Sequence, residues 1–493
     1  MKEIKVKDII KICNANLICG NEEEILENYK KDTREIENGD VYIGIKGEKF
    51  NGSTFFETAF EKGAKACILQ DIEIDEKTLK KYQDKIIIIV KDSVEALQKI
   101  AEYKRKEYNI PVIGVTGSVG KTSTKDILAS VMSKKYKTLK TEGNYNNHIG
   151  VPLTILKLKD HEAAVIEMGM NHLGEISKLT KIARPTMSVI TNIGTSHIGE
   201  LGSRENILKA KLEILEGMEE NAPIVINNDN DMLHDWYIKN KDTRNIITYG
   251  IENKSDIMAE NIYTDDKGSN FTVNVENKQY KIEINVGGKH FIQNSLCAIC
   301  VGLKNNIPME KIIEGIKEFK LTQKRMEILK GINNSTIIND CYNASYDSMK
   351  AAIEYLGELK GNKKIAVLGD MLELGEYEKE LHEKVGEEIY KNKIDILITI
   401  GNLAKHIAEK ASKLGLSKDR IFTYEDKQER NKKTQRNYQW KWLYFSKSIK
   451  RNEIWWNYKS TTTLWRRKLM QTNLYCIVCQ MERRQMTHIC KLL

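Results

Sequence analysis

A glycine-rich segment is the part of this sequence best suited to phosphate chemistry. Residues 114–122 read Gly-Val-Thr-Gly-Ser-Val-Gly-Lys-Thr; they begin within the apolar run 110–116 and are followed by the amphipathic stretch 125–133. In such a strand–loop–helix turn the backbone N–H groups face phosphate oxygens. Lys121 can then neutralise the β- and γ-phosphates, and Thr122 can ligate Mg²⁺. Val115 stands where the full pattern has glycine, so a turn with a chance lysine is the alternative, but the flanking strand and helix favour nucleotide binding.

Two candidate metal ligands follow later apolar runs. Glu167 closes the run 163–166, and His197 comes shortly after the run 188–191. Ligands of open parallel sheets bind at the carboxyl ends of strands, and hard cations prefer oxygen ligands. The alternatives are a helix-capping role for Glu167 and a structural role for His197. By its spacing, Lys211 reads as a solvated helix lysine.

The pattern of strands and helices that must position these residues predicts an α/β protein. A chain of 493 residues is too long for one core and suits about three domains. Short apolar runs alternate with helical stretches, as in parallel sheets covered by helices. The predicted strands are residues 41–45, 66–69, 86–90, 110–116, 163–166, 188–191, 224–226, 336–338, 365–368 and 396–400. The predicted domains are residues 1–104, a central domain of 105–320, and a compact doubly wound domain of 321–429 that is incomplete.

Composition indicates an ordinary soluble protein. The chain is 41% hydrophobic and 30% charged, and no apolar run reaches membrane-spanning length. The amino terminus is charged where a signal peptide would be apolar. Nine cysteines without a regular framework favour reduced thiols. We therefore expect a cytoplasmic protein without membrane insertion.

The last part of the chain differs abruptly from the rest. Residues 430–493 contain fifteen Lys and Arg against two Glu, and five of the six tryptophans. Codons written for this segment and read one nucleotide out of frame give a helix, a strand, a turn and a final helix. We hypothesise that 430–493 is a frameshifted, non-native tail that begins near Glu429. The tail alone would otherwise suggest nucleic-acid binding, or a zinc site at Cys476, Cys479, His488 and Cys490; the frameshift argues against both.

From about Asp32 to about Glu429 the sequence resembles the Mur ligase family. In that family's phosphate loop the early glycine is routinely missing, which accounts for Val115. Ser345 and Tyr346 depart from the usual Asn-Pro. The segments that carry the resemblance are Asp32–Arg34, Gly44–Gly52, Thr116–Thr122, Gly143–Pro152, Glu167–Glu175, Tyr342–Met349 and Gly369–Gly375.

The resemblance implies a three-domain Mur ligase architecture with a central P-loop ATPase domain, and it implies roles that spacing could not give. Lys211 would be a carbamoylated lysine that holds a second Mg²⁺ together with His197. Arg325 and Asp340 would close onto the γ-phosphate and the ribose, and His290 and Asn294 would contact adenine. The remaining implied ATP contacts are Thr116, Gly117, Ser118, Val119, Gly120, Lys121, Thr122 and Ser123. The implied contacts with a uridine-nucleotide precursor are Thr33, Arg34, Lys46, Asn144 and Asn147.

The implied reaction is an ATP-dependent amide ligation through an acyl phosphate. Several of the segments point to the family member that adds D-alanyl-D-alanine to UDP-N-acetylmuramoyl-tripeptide in peptidoglycan precursor synthesis. The cofactors would be ATP and two Mg²⁺ ions. The protein would be a monomer and would not bind nucleic acid. One alternative is a sibling ligase that adds another amino acid. The other is a nucleotide-binding protein that is inactive because of its aberrant carboxyl terminus.

Overall fold

The structure is a computed structural model that describes residues 3–330, 335–361, 363–424 and 474–479. Its contacts divide the chain into two units. The first contains Met1–Ile193, Glu205–Met258 and Gln293–Phe319, and the second contains Gly194–Arg204, Ala259–Ile292 and the described part of Lys320–Leu493. The domain boundaries at residues 104 and 320 stay predictions.

The amino-terminal part of the first unit is a five-stranded sheet with helices. Its strand order is β1-β5-β4-β3-β2, antiparallel between β1 and β5 and parallel elsewhere. The sheet's core includes Tyr42, Phe56, Phe60 and Ile87. The elements are α1 (Val6–Cys13), β1 (Asn16–Cys19), β2 (Tyr29–Lys30), β3 (Val41–Ile43), α2 (Phe56–Glu61), β4 (Ala66–Leu69), α3 (Glu76–Lys81), β5 (Ile86–Ile89) and α4 (Ser93–Lys106).

The next region is built on a seven-stranded parallel sheet. Its order is β12-β11-β10-β9-β6-β8-β7, and every residue of β6 and β8 is buried, as expected for parallel strands covered on both faces. Its elements are β6 (Val112–Thr116), α5 (Lys121–Met132), β7 (Thr138–Lys140), α6 (Gly150–Ile155), β8 (Ala163–Glu167), α7 (Glu175–Ala183), β9 (Met187–Ile190), α8 (Ile198–Leu201, in the second unit), α9 (Arg204–Leu212), β10 (Ile224–Asn227), α10 (Asp231–Asn240), β11 (Ile246–Gly250) and β12 (Ile257–Met258).

Helix α4 ties the first sheet to the second within this unit. The Lys104 ammonium donates to the carbonyl oxygen of Leu156 at 2.8 Å. The Arg105 guanidinium donates to the carbonyl oxygens of Ala183 at 2.7 Å and Arg184 at 3.0 Å. Both cations are buried, and these bonds satisfy carbonyl groups at helix ends that would otherwise lack partners.

A three-stranded antiparallel sheet, which the sequence patterns did not predict, follows in the second unit. It contains β13 (Glu260–Thr264), β14 (Ser269–Val275) and β15 (Lys278–Ile284) in that order. Two helices come next along the chain: α11 (Lys289–Lys304), which belongs to the first unit from Gln293 onward, and α12 (Met309–Glu318), which belongs to the first unit throughout. Helix α12 packs on α5, where the Ser130 hydroxyl donates to the carbonyl oxygen of Gly315 at 2.7 Å.

The carboxyl-terminal sheet of the second unit has six strands. Its order is β16-β17-β21-β18-β19-β20, with only β16 antiparallel among these described strands. The elements are β16 (Glu327–Lys330), β17 (Thr336–Asp340), α13 (Tyr346–Glu358), β18 (Lys363–Gly369), α14 (Glu378–Lys391), β19 (Ile396–Ile400), α15 (Lys405–Leu414), β20 (Ile421–Tyr424) and β21 (Leu474–Cys479).

Strand β21 comes from the segment that we interpreted as a non-native tail. It lies between β17 and β18 and is parallel to both, so residues 321–429 do not form this sheet alone. The expected gap in the sheet is thus filled by an apolar stretch of the tail. The frameshift itself stays a hypothesis. None of the described helices is both long and apolar enough to span a bilayer.

Candidate active site

The glycine-rich loop connects β6 to α5, as predicted. Its backbone is left-handed at Gly117 (φ +148°) and at Gly120 (φ +82°), which directly precedes the helix. A Cβ atom at Gly117 would lie 2.0 Å from Thr191 Oγ1, so this position requires glycine for space as well as for conformation. Helix α5 begins at Lys121, and the unpaired N–H groups of its first turn make this end suited to an anion.

The neighbouring strand end holds this loop in place. The Asn192 side-chain oxygen accepts hydrogen bonds from the backbone N–H groups of Ser118 (3.1 Å) and Val119 (3.0 Å). The Thr191 hydroxyl donates to the carbonyl oxygen of Val119 at 2.7 Å. Because β9 pairs with β6, both residues directly follow the strand beside the loop. The loop is therefore preorganised before any ligand binds.

The Lys121 side chain folds back over the loop. Its ammonium donates to the carbonyl oxygens of Gly117 at 2.8 Å and Ser118 at 3.1 Å. This places a positive charge beside the loop, where it can interact with phosphate oxygens bound by the N–H groups. The geometry fits the role predicted from the sequence.

Glu167 ends β8 beside α5 and is 1% exposed. Its Oε1 accepts hydrogen bonds from the Asn146 amide at 2.8 Å and the Thr122 hydroxyl at 3.3 Å. Both partners are side chains, so Glu167 does not cap a helix here. Its Oε2 is buried without a hydrogen-bond partner among the described residues. A buried carboxylate oxygen without a partner is costly unless a cation or water completes it.

This unsatisfied oxygen fits a magnesium ion. Mg²⁺ is typically held by one or two protein oxygens, with water and substrate phosphates completing its octahedron. Glu167 and Thr122 supply such oxygens next to the phosphate loop. Within the described residues no cluster of three His, Cys, Asp or Glu side chains occurs, so phosphate and water would supply the other ligands.

Replacing Glu167 by glutamine should weaken magnesium binding and slow turnover. The amide keeps the size of the side chain but removes the charge, so we expect a fall in kcat of about 10²-fold. The measurement is ATP turnover titrated with MgCl₂. The exposed Glu205, on α9 of the same unit, provides the control Glu205→Gln. Equal magnesium dependence in both variants would contradict the assignment.

Lys211 lies near the end of α9 and is 1% exposed, so the interpretation as a solvated helix lysine was wrong. Burial, reinforced by the nearby positive charge of Lys121, lowers the pKa of Lys211 well below its usual value. Glu213 and Glu175 oppose this shift without cancelling it. The amine is therefore driven towards its neutral, nucleophilic form.

The two residues expected to contact adenine lie on α11. The Asn294 side-chain oxygen accepts a hydrogen bond from the Thr124 hydroxyl of α5 at 3.0 Å. Its Nδ2 is buried without a partner among the described residues, so it has a donor to offer to a ligand. Burial lowers the pKa of His290 to about 4, so this imidazole is neutral at pH 7. Their adenine contacts stay predictions.

His197 belongs to the second unit, in the segment Gly194–Arg204. It directly precedes α8 with a left-handed backbone (φ +63°), and its Nδ1 lies 2.7 Å from Glu373 Oε2. The two predicted metal ligands Glu167 and His197 thus belong to different units. A metal-binding role for His197 stays a prediction.

Arg325 and Asp340 also lie in the second unit. The Arg325 guanidinium stacks on the Tyr342 ring, 4.1 Å from its centroid, and its Nε has no hydrogen-bond partner among the described residues. Burial raises the pKa of Asp340 to about 6, while the Arg325 charge and the Met326 N–H limit the rise. The backbone is left-handed at Lys324 (φ +63°) and Met326 (φ +50°). Strain of this kind often accompanies functional positions.

Three family models cover most of the chain. The model "Mur ligase family, catalytic domain" matches residues 27–105, and "Mur ligase middle domain" matches residues 115–302. The model "Mur ligase, glutamate ligase domain" matches residues 324–438, which extends past Glu429. The chain belongs to the Mur ligase family.

Relatives of this Mur ligase match it over most of both chains. It is 40% identical over 411 residues to the UDP-N-acetylmuramoyl-tripeptide–D-alanyl-D-alanine ligase of Bacillus subtilis, covering 83% of this chain and 87% of the relative. It is 32% identical to the enzyme of that name from Escherichia coli, with 79% and 84% covered. These relatives confirm the resemblance seen in the sequence.

Solved structures agree with the fold of this Mur ligase. A crystal structure of MurF from Acinetobacter baumannii matches with a TM-score of 0.81 and 25% identity, covering 99% of this chain and 98% of that one. MurF ligase from Thermotoga maritima in complex with ADP matches with a TM-score of 0.73 and 27% identity, covering 92% and 94%. The predicted three-domain α/β architecture is thereby confirmed.

Three of the predicted precursor contacts lie in the amino-terminal sheet region of this Mur ligase. Thr33 begins a 3₁₀ turn that the Asp32 side chain caps. Arg34 donates hydrogen bonds to Asp32 and thereby holds the pKa of that carboxyl at about 2. Lys46 pairs with Asp71 at 2.6 Å on the surface. Both cations are more than half exposed, which leaves them accessible to a phosphate.

The other two predicted precursor contacts precede α6. The Asn147 side-chain oxygen accepts a hydrogen bond from the Gly150 N–H at 2.9 Å, at the first residue of that helix. Asn144 is exposed in the turn before it. The same loop is held by the Gln98 amide, which donates to the carbonyl oxygen of His148 at 3.0 Å. All five precursor contacts stay predictions.

Several residues that shape the site of this Mur ligase were missed from the sequence. Asn192 and Thr191 clamp the phosphate loop, and Asn146 supports Glu167. The sequence shows polar residues directly after β9 and before α6. Polar residues are common after strands, however, so this position alone does not identify residues of the site. Only the pairing of β9 with β6 shows which of them reach the loop.

The Cys-x-x-Cys pattern does not form a metal pair in the described structure. Cys476 lies in the core of the carboxyl-terminal sheet with Ile337 and Ile365. Cys479 comes three residues later on the same strand, and side chains three apart on a strand point to opposite faces. His488 and Cys490 lie outside the described residues.

Proposed function

We propose that this chain is an ATP-dependent amide ligase that joins D-alanyl-D-alanine to UDP-N-acetylmuramoyl-tripeptide in peptidoglycan precursor synthesis. The observation that carries the proposal is the phosphate loop beside the buried, half-satisfied carboxylate of Glu167. The similarity to ligases of that name over 83% of the chain supports the choice of substrates.

The chemistry explains the need for ATP. A carboxylate does not form an amide with an amine in water unless its oxygen becomes a leaving group. Transfer of the γ-phosphoryl group to the tripeptide carboxylate gives an acyl phosphate and ADP. The amine of the dipeptide then attacks the acyl carbon, and inorganic phosphate leaves as the amide forms.

In this proposal the chain acts through charge and positioning rather than as a nucleophile. The N–H groups at the amino-terminal end of α5 and the Lys121 ammonium hold the phosphates and stabilise charge on the transferring group. Bound Mg²⁺ would supply further neutralisation of the phosphate oxygens, held by Thr122 and Glu167. We assign Arg325 to the γ-phosphate and Asp340 to the ribose on the strength of the family resemblance.

We further propose that Lys211 reacts with CO₂. Its neutral amine would form a nitrogen–carbon bond and release one proton, which turns a buried amine into a carbamate with two oxygens. The lowered pKa of Lys211 supports this step, because only the unprotonated amine is nucleophilic. On the strength of the family resemblance, we assign this carbamate and His197 to a second Mg²⁺.

The test is phosphate release by the full chain with each substrate omitted in turn. Release that requires ATP, the muramoyl tripeptide and D-alanyl-D-alanine together supports the proposal. Incorporation of a single amino acid in preference to the dipeptide would assign the chain to a sibling ligase. ATP binding without release under any of these conditions would make it an inactive nucleotide-binding protein.

The cellular setting is part of this proposal. We place the enzyme in the cytoplasm, because its nucleotide-linked precursor is a soluble molecule, and we propose that it acts as a monomer. The reading frame after Glu429 is to be resequenced alongside the assay. An intact gene that encodes the Trp-rich tail would reject the frameshift hypothesis.

A further inference from the structure

The segment that follows β7 holds Glu167 at two points. The Thr141 hydroxyl accepts a hydrogen bond from the backbone N–H of Glu167 at 3.0 Å. Further along the same segment, the Asn146 amide donates to the Glu167 carboxylate at 2.8 Å. One end of the segment therefore fixes the backbone of Glu167, and the other end fixes its side chain. All three residues belong to the first unit.

The Thr141 bond lies where the ladder between β7 and β8 ends. The last Cα pair of that ladder is Lys140 with Val165, and the Thr141 N–H still donates to the Val165 carbonyl oxygen at 3.1 Å. A continued parallel ladder would pair the Glu167 N–H with a main-chain carbonyl oxygen. A side-chain hydroxyl is the acceptor instead. Because Thr141 is fully buried, solvent water does not compete for this N–H.

The carbonyl group of Thr141 is bound by Lys125 of α5. The Lys125 ammonium donates to that carbonyl oxygen at 2.9 Å. Its side chain is only 2% exposed, and a buried ammonium is costly unless it is paired. The pairing charge is the Asp126 carboxylate, whose Oδ1 lies 3.2 Å from Lys125 Nζ and also accepts a hydrogen bond from Lys140 at 2.8 Å. Lys125 thus binds the carbonyl oxygen of Thr141, while the Thr141 hydroxyl binds β8.

Helix α5 is connected to Glu167 by two routes. Thr122 donates directly to the Glu167 carboxylate at 3.3 Å. Lys125 lies three residues later on α5, on the same side of the helix, and reaches Glu167 through Thr141. The amino-terminal end of α5, which is suited to a phosphate, is thereby joined to both the side chain and the backbone of this carboxylate residue.

We propose that Thr141 and Lys125 are positioning residues for Glu167. Lys125 holds Thr141, and the Thr141 hydroxyl holds the end of β8, so that the Glu167 carboxylate stays beside the Thr122 hydroxyl. Residues that support a metal ligand in this way raise the affinity for the metal. The inference rests on the proposed function, because it takes Glu167 as a ligand of the Mg²⁺ that accompanies ATP.

Hydrogen exchange tests the Thr141 bond without nucleotide, metal or turnover. In Thr141→Val the side chain keeps its shape but loses the acceptor, so exchange of peptides that contain Glu167 should accelerate by about tenfold or more. Thr141→Ser keeps the hydroxyl and should match the unmodified chain. The control is Thr138→Val on the same strand, where the hydroxyl binds the Tyr136 carbonyl oxygen. Equal exchange in Thr141→Val and Thr138→Val would overturn the proposal.

Binding of Mn²⁺ tests the effect on the cation, again without turnover. Mn²⁺ shares the preference of Mg²⁺ for oxygen ligands, and electron paramagnetic resonance measures its free concentration. With saturating ADP, the Kd for Mn²⁺ should rise by about tenfold to a hundredfold in Thr141→Val and in Lys125→Met. The Kd for ADP in the presence of EDTA should stay unchanged, which shows that both variants are folded. Thr141→Ser should keep the original affinity for Mn²⁺.

The two measurements separate a positioning role from a purely structural one. Faster exchange in Thr141→Val with unchanged Mn²⁺ affinity would overturn the positioning role, as would an unmodified chain that binds no Mn²⁺. A raised Kd in Thr141→Val but not in Lys125→Met would support Thr141 and overturn the role of Lys125. If the unmodified chain binds Mn²⁺ and ADP but releases no phosphate with all three substrates, the proposed function fails, while the exchange and Mn²⁺ results still decide the positioning role.

Discussion

Replacement of Lys121 by alanine is expected to lower kcat by about 10²- to 10³-fold, because it removes a preorganised positive charge from the transferring phosphoryl group. The ammonium lies over the loop in this structure and contacts two of its carbonyl oxygens. Alanine is the strongest helix former, so the start of α5 should be retained. The measurement is steady-state phosphate release with all three substrates.

The control for this substitution is Lys178→Ala, which removes an exposed lysine from α7 in the same unit. Its turnover should match that of the unmodified chain. Thermal unfolding of both variants separates lost chemistry from lost stability. A Lys121→Ala variant with turnover within threefold of the control would remove the phosphate loop from the mechanism.

A chain that ends at residue 424 is expected to lose the fold of its carboxyl-terminal sheet. Such a chain lacks β21, which lies between β17 and β18 and pairs with both. Burying one aliphatic side chain contributes roughly 1.5–3 kcal/mol, so the fully buried Ile477 and Val478 contribute roughly 3–6 kcal/mol between them. That is a large part of the whole stability of a domain, roughly 5–15 kcal/mol.

The matched control is a chain that ends at residue 479, which keeps β21. Limited proteolysis and hydrogen exchange of residues 320–424 provide the measurement. The shorter chain should be cleaved within this range and exchange rapidly, while the longer one should resist. Equal protection in the two chains would show that β21 does not stabilise the sheet. A frame-corrected chain should be protected as well, because its own strand can occupy the same position.

The sequence predicted the parallel sheets and the phosphate loop well. The buried strands read as continuous apolar runs, and the predicted runs 66–69 and 396–400 coincide with β4 and β19. The loop could be predicted because its glycines, lysine and threonine act locally, through a single strand–turn–helix unit. Helix α5 begins at Lys121 rather than in the predicted stretch 125–133, since apolar periodicity does not report the first turn of a helix.

Features that depend on distant contacts could not be predicted. The burial of Lys211 follows from the packing around α9, whose apolar periodicity is weak. The antiparallel strands β13–β15 have no continuous apolar run: β13 contains no buried residue, and the buried residues of β14 and β15 are separated by polar ones. The assignment of His197 to the second unit depends on Asp347 and Glu373, which lie about 150 and 175 residues later in the chain.

The position of β21 also has a consequence for biosynthesis. During translation β17 and β18 emerge long before β21, with residues 425–473 and other elements made in between. Until β21 arrives, the facing edges of these two strands have unpaired N–H and C=O groups, and such edges recruit strands from other chains. Long-range parallel pairing is also slow to form. The nascent carboxyl-terminal region therefore passes through an aggregation-prone stage on the ribosome, during which chaperone binding would matter most.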